Sequence, residues 1–375
     1  MDFPHPVLAA GNYEFALKLV KYLSLTTAEN SNLCFSPSSI SLVLAMCQYG
    51  ARGETKRRMN EILFNDPDLN EEKISEWIGE TLNLETGSDE FSTLKFANRI
   101  YVNANFRLKN RFVEKVFKEF KSEALNVDFS KNGNRTTEEI NAWVEEMTNR
   151  RIKNLLSKNQ LTAQTSILLI NALYFKSYWF DEFHVENTTK KNFYPSPDDQ
   201  VQEIDMMHMK SIKMYNENDL VQLLTLNYAC SFSAEMVIIL PREKFGLKKV
   251  VDKLNGSTLR RWISEARKKE VQIQLPKFKV LQSFNLNECL QKLGLAEIFT
   301  EAADFSAMVD DGSKVKISDV IHKSFIEDIF YKMFVSKEDP KIFKADHPFL
   351  FVLLAGHSTI LFIGQFCGRT QYNTE

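Results

Sequence analysis

The side chains that could ligate a metal or attack a substrate are too scattered in this chain to do either. Its six histidines, His5, His184, His208, His322, His347 and His357, show no ligand spacing. Its five cysteines, Cys34, Cys47, Cys230, Cys289 and Cys367, include no CxxC pair, and four sit inside apolar runs. Reduced core cysteines are therefore expected rather than a disulfide framework or a zinc site. A nucleotide would need a glycine-rich cradle, and neither GxGxxG nor a Walker loop occurs; HExxH and the GxSxG elbow are missing too. A Ser-His-Asp or Cys-His site would have to be assembled from residues far apart in sequence. No enzyme activity, cofactor or metal is expected.

One segment offers a different chemistry, that of a substrate. Residues 328–342 read DIFYKMFVSKEDPKI, with Asp328 at the head and Lys332, Lys337 and Lys341 along it. A short exposed connection carrying lysines suits a trypsin-like protease. The simpler role of those lysines is solubility.

The elements that must position this segment follow from composition and periodicity. The chain has 375 residues, 44% hydrophobic and 12% aromatic, enough for a sizeable core. A net charge of -2, from 47 basic and 49 acidic residues, gives no basic excess for nucleic acid. The clusters Lys56, Arg57, Arg58 and Arg267, Lys268, Lys269 lie beside Glu54 and Glu270 and read as solvated faces. The start, MDFPHPVLAAGNYEF, lacks a basic stretch followed by a long apolar run, and no apolar run reaches the length of a membrane span. A cytoplasmic location is expected, with non-classical release as a route outside, no membrane partner, and a monomer. The sequons at Asn134, Asn187 and Asn255 then read as chance matches.

Helical period dominates the first third. Phe15, Leu17, Leu19, Val20 and Leu23 form an apolar face after Asn12, residues 40–47 form a nearly continuous apolar stretch after Pro37, and Phe112, Val113, Val116, Phe117 and Phe120 repeat the pattern. Thr136 and Glu139 have capping-box spacing, which predicts a helix over Thr136–Met147 whose Ile140, Trp143, Val144 and Met147 lie on something flat and apolar. The following ILLINALYFK, residues 167–176, reads as a strand buried on both faces. Further strands are expected at residues 220–228, 235–241, 271–280, 349–354 and 360–366. Helices first and strands later, without regular alternation, predict an α+β fold, and no domain boundary is visible.

Several blocks resemble the serpin family, in order: NLCFSPSSISLVLAMCQYGARGETKRRMNEIL at 32–63, ANRIYV and LNVDFS within 96–129, NALYFKSYW at 171–179, LPKFKV and KLGLAEIF within 275–299, then DVIHKSFIE at 319–327 and FKADHPFLF at 343–351. The resemblance covers about residues 9–369 and implies one serpin-like domain over residues 1–375. It implies a large central sheet, two smaller sheets and about nine helices. Ser36, Asn171 and His322 match the polar cluster that in the family lies under the central sheet, where its strands part to admit another. The partner implied is a serine or cysteine endopeptidase. In the family, such an enzyme cleaves the exposed loop, stays acylated to it, and is carried across the molecule as the loop enters the central sheet as a new strand.

Here residues 328–342 take the place of that loop, and they meet neither physical demand of the mechanism. A compact domain of 375 residues has a diameter of roughly 54 Å. Residues freed by scission after Lys337 reach about 33 Å as a strand, and after Lys341 about 46 Å. The segment contains no Gly, Ala or Thr, and burying its large or charged side chains between closing strands costs about 1–3 kcal/mol for each bulky group and more for an unpaired charge. The expectation is a non-inhibitory serpin or loop-deficient variant, with lost or impaired inhibition; the alternative is an active inhibitor with an atypical loop.

Overall fold

The computed structural model describes residues 6–28, 31–181, 183–310, 314–329, 340–356 and 358–368. The first part of the chain builds α1 (Pro6–Thr26), β1 (Leu33–Phe35), α2 (Pro37–Gly50), α3 (Gly53–Phe64), α4 (Glu71–Thr86), β2 (Ser92–Asn103), α5 (Asn110–Phe120), β3 (Glu123–Val127), α6 (Phe129–Met147) and β4 (Ile167–Tyr178). There follow β5 (Thr189–Phe193), β6 (Gln202–Glu217), β7 (Val221–Asn227), β8 (Glu235–Pro241), α7 (Leu247–Lys253), α8 (Gly256–Ser264), β9 (Arg267–Pro276), β10 (Lys279–Asn285) and α9 (Asn287–Leu290). The last strands are β11 (Ile317–Ile329), β12 (Lys341–Lys344), β13 (Phe349–Ala355) and β14 (Thr359–Phe366).

The α+β expectation holds, with nine α-helices among the described residues. A five-stranded sheet runs β10-β11-β4-β2-β3, and a nine-stranded sheet runs β1-β14-β13-β8-β7-β6-β9-β12 with β5 on β6. Where two smaller sheets were expected, one continuous sheet forms because β6 is long enough to serve both. It pairs with β9 over Met206–Tyr215 and with β7 over Met214–Glu217.

β4 shows why ILLINALYFK reads as it does. Ile167, Leu169, Leu173 and Phe175 enter the main core, while Leu168, Ile170 and Ala172 enter a second core on the opposite face. The period-two alternation of a strand thus buries both sides. α2, all of whose residues are buried, covers one face near the sheet's centre. α6 covers the other face, with Ile140 and Val144 in the second core, the flat apolar contact expected of it.

Three expectations need correction. Thr136 is not a cap: α6 begins at Phe129, and Asp128 Oδ1 accepts hydrogen bonds from the N–H groups of Ser130 and Lys131. Thr136 is instead a buried residue inside the helix. The single strand expected over 271–280 is two strands, β9 ending at Pro276 and β10 starting at Lys279, as fits a residue without an N–H for a ladder. Phe117 does not pack with its helical neighbours; it is 65% exposed. The cysteines are free, four buried and Cys230 partly so.

Candidate functional site

Two strands frame the site. β11 pairs in parallel with β4 from Ile317↔Ile167 to Ile329↔Tyr178, so no strand lies between them. β11 also pairs antiparallel with β10 on its other edge. Because β4 and β11 are parallel yet far apart in sequence, their pairing leaves a lane into which an antiparallel strand would fit if they separated.

That lane is bolted underneath by a buried polar row. Asn98, Asn171 and His322 face one another across β2, β4 and β11, in the pairs Asn98↔Asn171 and His322↔Asn171. The Ser36 N–H donates to His322 Nε2 at 3.0 Å, so Nε2 is the bare nitrogen and Nδ1–H donates to Asn171 Oδ1. Asn171 Nδ2 in turn donates to the carbonyl of Ser39 at 2.9 Å and to Asn98 Oδ1, and the Ser39 hydroxyl also donates to Asn98 Oδ1 at 3.4 Å. Burial pushes the His322 pKa down to about 3, because charging an imidazole away from water is unfavourable. A proton on Nε2 would also face the Ser36 N–H donor head-on.

Ser36, Asn171 and His322 are thus brought together, as both the structural and the functional reading of them required. Ser36 acts through its backbone, while its hydroxyl caps α2 by accepting from the Ser39 N–H at 3.2 Å. Sequence reasoning missed Ser39 and Asn98. The blocks SPSS and ANRIYV contain them, but only strand register reveals that Asn98 faces Asn171.

At the top of the lane Glu327 of β11 is nearly buried and pairs with Lys279 of β10, with Arg151 3.6 Å away. Phe325 stacks on Tyr174 of β4, with ring centroids 5.8 Å apart. Asp328 continues β11 opposite Ser177. Lys332 and Lys337 lie outside the described residues. Lys341 opens β12, which is parallel to β9 over Lys341–Lys344 and Val271–Gln274. Its Nζ lies 2.9 Å from Glu217 Oε1, and Glu217 also receives Arg242 Nη2 at 2.6 Å and the Tyr215 hydroxyl at 2.7 Å. Those hydrogen bonds, that from Lys341 foremost, hold the Glu217 carboxyl down at about 2. Gln222 Nε2 donates to the Ile342 carbonyl at 3.1 Å. The Lys341–Ile342 bond is therefore held at a sheet edge rather than presented on a free chain.

Among the described residues no group of His, Cys, Asp and Glu could hold a metal ion, and no helix is long and apolar enough to cross a membrane. The architecture is that of a mixed α and β protein with a closed parallel pair of strands over a buried polar row. The family model described as Serpin (serine protease inhibitor) matches residues 10–368, and the chain belongs to that family. It is 35% identical to an uncharacterised serpin-like protein of Thermococcus kodakarensis, over 96% of this chain and 85% of that one. It is 32% identical to serpin B10 of Plecturocebus moloch, over 96% and 99%. The crystal structure of uncleaved ovalbumin superposes with a TM-score of 0.88 at 25% identity, over 96% of this chain and all of that one.

Proposed function

We propose that this chain keeps the serpin fold but has lost, or largely lost, the trapping of proteases, and that it meets a serine or cysteine endopeptidase as a substrate or a binding partner. The observation that carries this is the pairing of β11 with β4 out to Ile329↔Tyr178. Asp328 and Ile329 already belong to the strand, so at most residues 330–340 separate β11 from β12. The lane to be filled is the length of β4, 12 residues, or about 40 Å at roughly 3.3 Å per residue. Scission after Lys337 frees residues 330–337 beyond the strand, about 26 Å if fully extended, before the chain has reversed direction. Scission after Lys341 would require β12 to leave the sheet first.

Size works in the same direction as length. Phe330, Tyr331, Met333, Phe334 and Val335 would have to enter a sheet whose two faces are already filled by α2 and α6. The bolt of Asn171 and His322 serves, in this proposal, as the family's sheet-opening cluster, kept here because a buried polar row must stay satisfied whether or not the lane ever opens. A cytoplasmic location is part of the same reading, supported by the likeness to serpin B10.

The test is incubation with trypsin-like, chymotrypsin-like and papain-like proteases followed by denaturing gels. The expected result is a nicked chain with no covalent complex and a melting temperature within a few degrees of the intact protein. A covalent complex with any of them would overturn the proposal.

A further inference from the structure

We infer that the cleft at the C-terminal end of α1 binds a primary amine carried on a flat apolar body. Two of its sides come from helices, Ser24 and Leu25 of α1 and Lys248 and Asp252 of α7. Residues 195–199, in the loop between β5 and β6, complete the wall with Pro348 and with Gln365 of β14. The cavity they enclose measures about 560 Å³, inside the range of about 300–1,000 Å³ that takes small molecules. It is formed before any ligand arrives. Ser196 Oγ accepts from the N–H groups of Asp198 and Asp199 at 3.2 and 2.9 Å, and the Tyr194 N–H donates to the Asp346 carbonyl at 2.9 Å. Phe193, at the head of the loop, is fully buried against Phe366, with ring centroids 5.3 Å apart.

The charges around the cleft decide the sign of its ligand. Asp198, Asp199 and Asp252 line it against a single lysine, Lys248. Neither Asp198 nor Asp252 has an ion pair among the described residues. Lys248 lies one helical turn from Asp252 on α7 and balances one carboxylate at most. α1 brings the negative end of a 21-residue helix to the same place, with no basic residue in its last turn. Gln365 supplies an independent acceptor. It is only 8% exposed, and its Nε2 donates to the Ser31 carbonyl at 3.0 Å. With the amide nitrogen engaged in this way, Oε1 is left without a partner among the described residues, on a side chain that lines the cleft. A buried amide oxygen beside unpaired carboxylates calls for a donor that carries positive charge.

The apolar walls define the rest of the ligand. Leu25 is 67% exposed and Phe245, just before α7, is 42% exposed, and both line the cleft. A flat apolar body lying between the helix end and the loop would cover them, against the buried Val251 and Pro195. The ammonium would then meet Asp198, Asp252 and Gln365.

The experiment titrates the full chain with 2-(1-naphthyl)ethylamine and, separately, with its N-acetyl derivative, which keeps the body and loses the charge, by calorimetry at low salt. The amine should bind one to one and more tightly than the acetyl compound. Asp198→Asn, at an exposed loop position, should weaken the amine about tenfold, the size of one charge-assisted contact, and leave the acetyl compound unchanged. Phe245→Ser should weaken both. Equal binding of amine and acetyl compound, insensitivity of the amine to either substitution, or absence of binding would each overturn the inference.

Discussion

His322 sits between a donor and an acceptor, and that fixes both its tautomer and its response to pH. In the unfolded chain an imidazole titrates at its ordinary value of about 6.5; in the fold, burial holds it near about 3. As pH falls below the ordinary value, the unfolded state binds a proton that the folded state refuses, so stability drops. The loss is about 1.4 kcal/mol for each pH unit between those two values, and it vanishes above neutrality. Denaturant unfolding at pH 7 and pH 5 should therefore show about 2 kcal/mol more loss in the natural chain than in a His322→Gln variant, whose amide supplies one donor and one acceptor without titrating. Equal losses in the two proteins would mean that the imidazole is already charged in the fold. The sequence exposed this residue and Asn171 because both lie inside recognisable blocks. Asn98 stayed hidden because an asparagine in a strand looks the same whichever face it takes, and only the register of β2 on β4 sets it into the row.

At the scale of elements, β12 decides how much chain a protease can reach. It is a four-residue edge strand held by Phe343 in the core and by Lys341, Arg242 and Tyr215 gathered on Glu217. Trypsin should therefore cut after Lys332 or Lys337 well before it cuts after Lys341. A Glu217→Gln substitution should change global stability by less than about 1 kcal/mol, because Lys341 and Arg242 are half exposed and screened by water. It should nonetheless bring forward the Lys341 cut, read by mass spectrometry over a time course. If that cut is equally early in both proteins, β12 is not secured by this carboxylate. Elements with a strong single period were legible in sequence, β4 and the apolar face of α6 above all. β6 was not: MMHMK shows no alternation, with Met206 and Met207 both buried and the next three residues half-buried, and only SIKMY alternates, with Lys213 and Tyr215 buried and Ile212 and Met214 exposed; lysines, moreover, are poor strand formers. The start of α6 was misplaced because Thr136 and Glu139 fit a capping box that the chain does not use, the helix having already begun at Phe129 behind its Asp128 cap.

For the whole molecule the proposal makes two separable demands, reach and size, and each can be supplied alone. A ten-residue insert placed after Ile329 would give the freed strand about 33 Å more, enough to turn and run the length of β4. Built from Gly, Ala and Thr, it also removes the steric cost of entering between the faces covered by α2 and α6. After cleavage such a variant should close its chain into the lane, gaining a central strand with partners on both edges. If that adds about 5–10 kcal/mol, the melting temperature should rise by about 10 °C, since a chain of this length shifts roughly 1–2 °C for each kcal/mol. An insert of equal length rich in Phe, Tyr and Lys should supply reach without fit and leave the melting temperature nearly unchanged. If the small-residue insert gives no rise either, the obstacle is not the connection but the closed β4–β11 pair itself, and the row of Asn98, Asn171 and His322 becomes a permanent bolt.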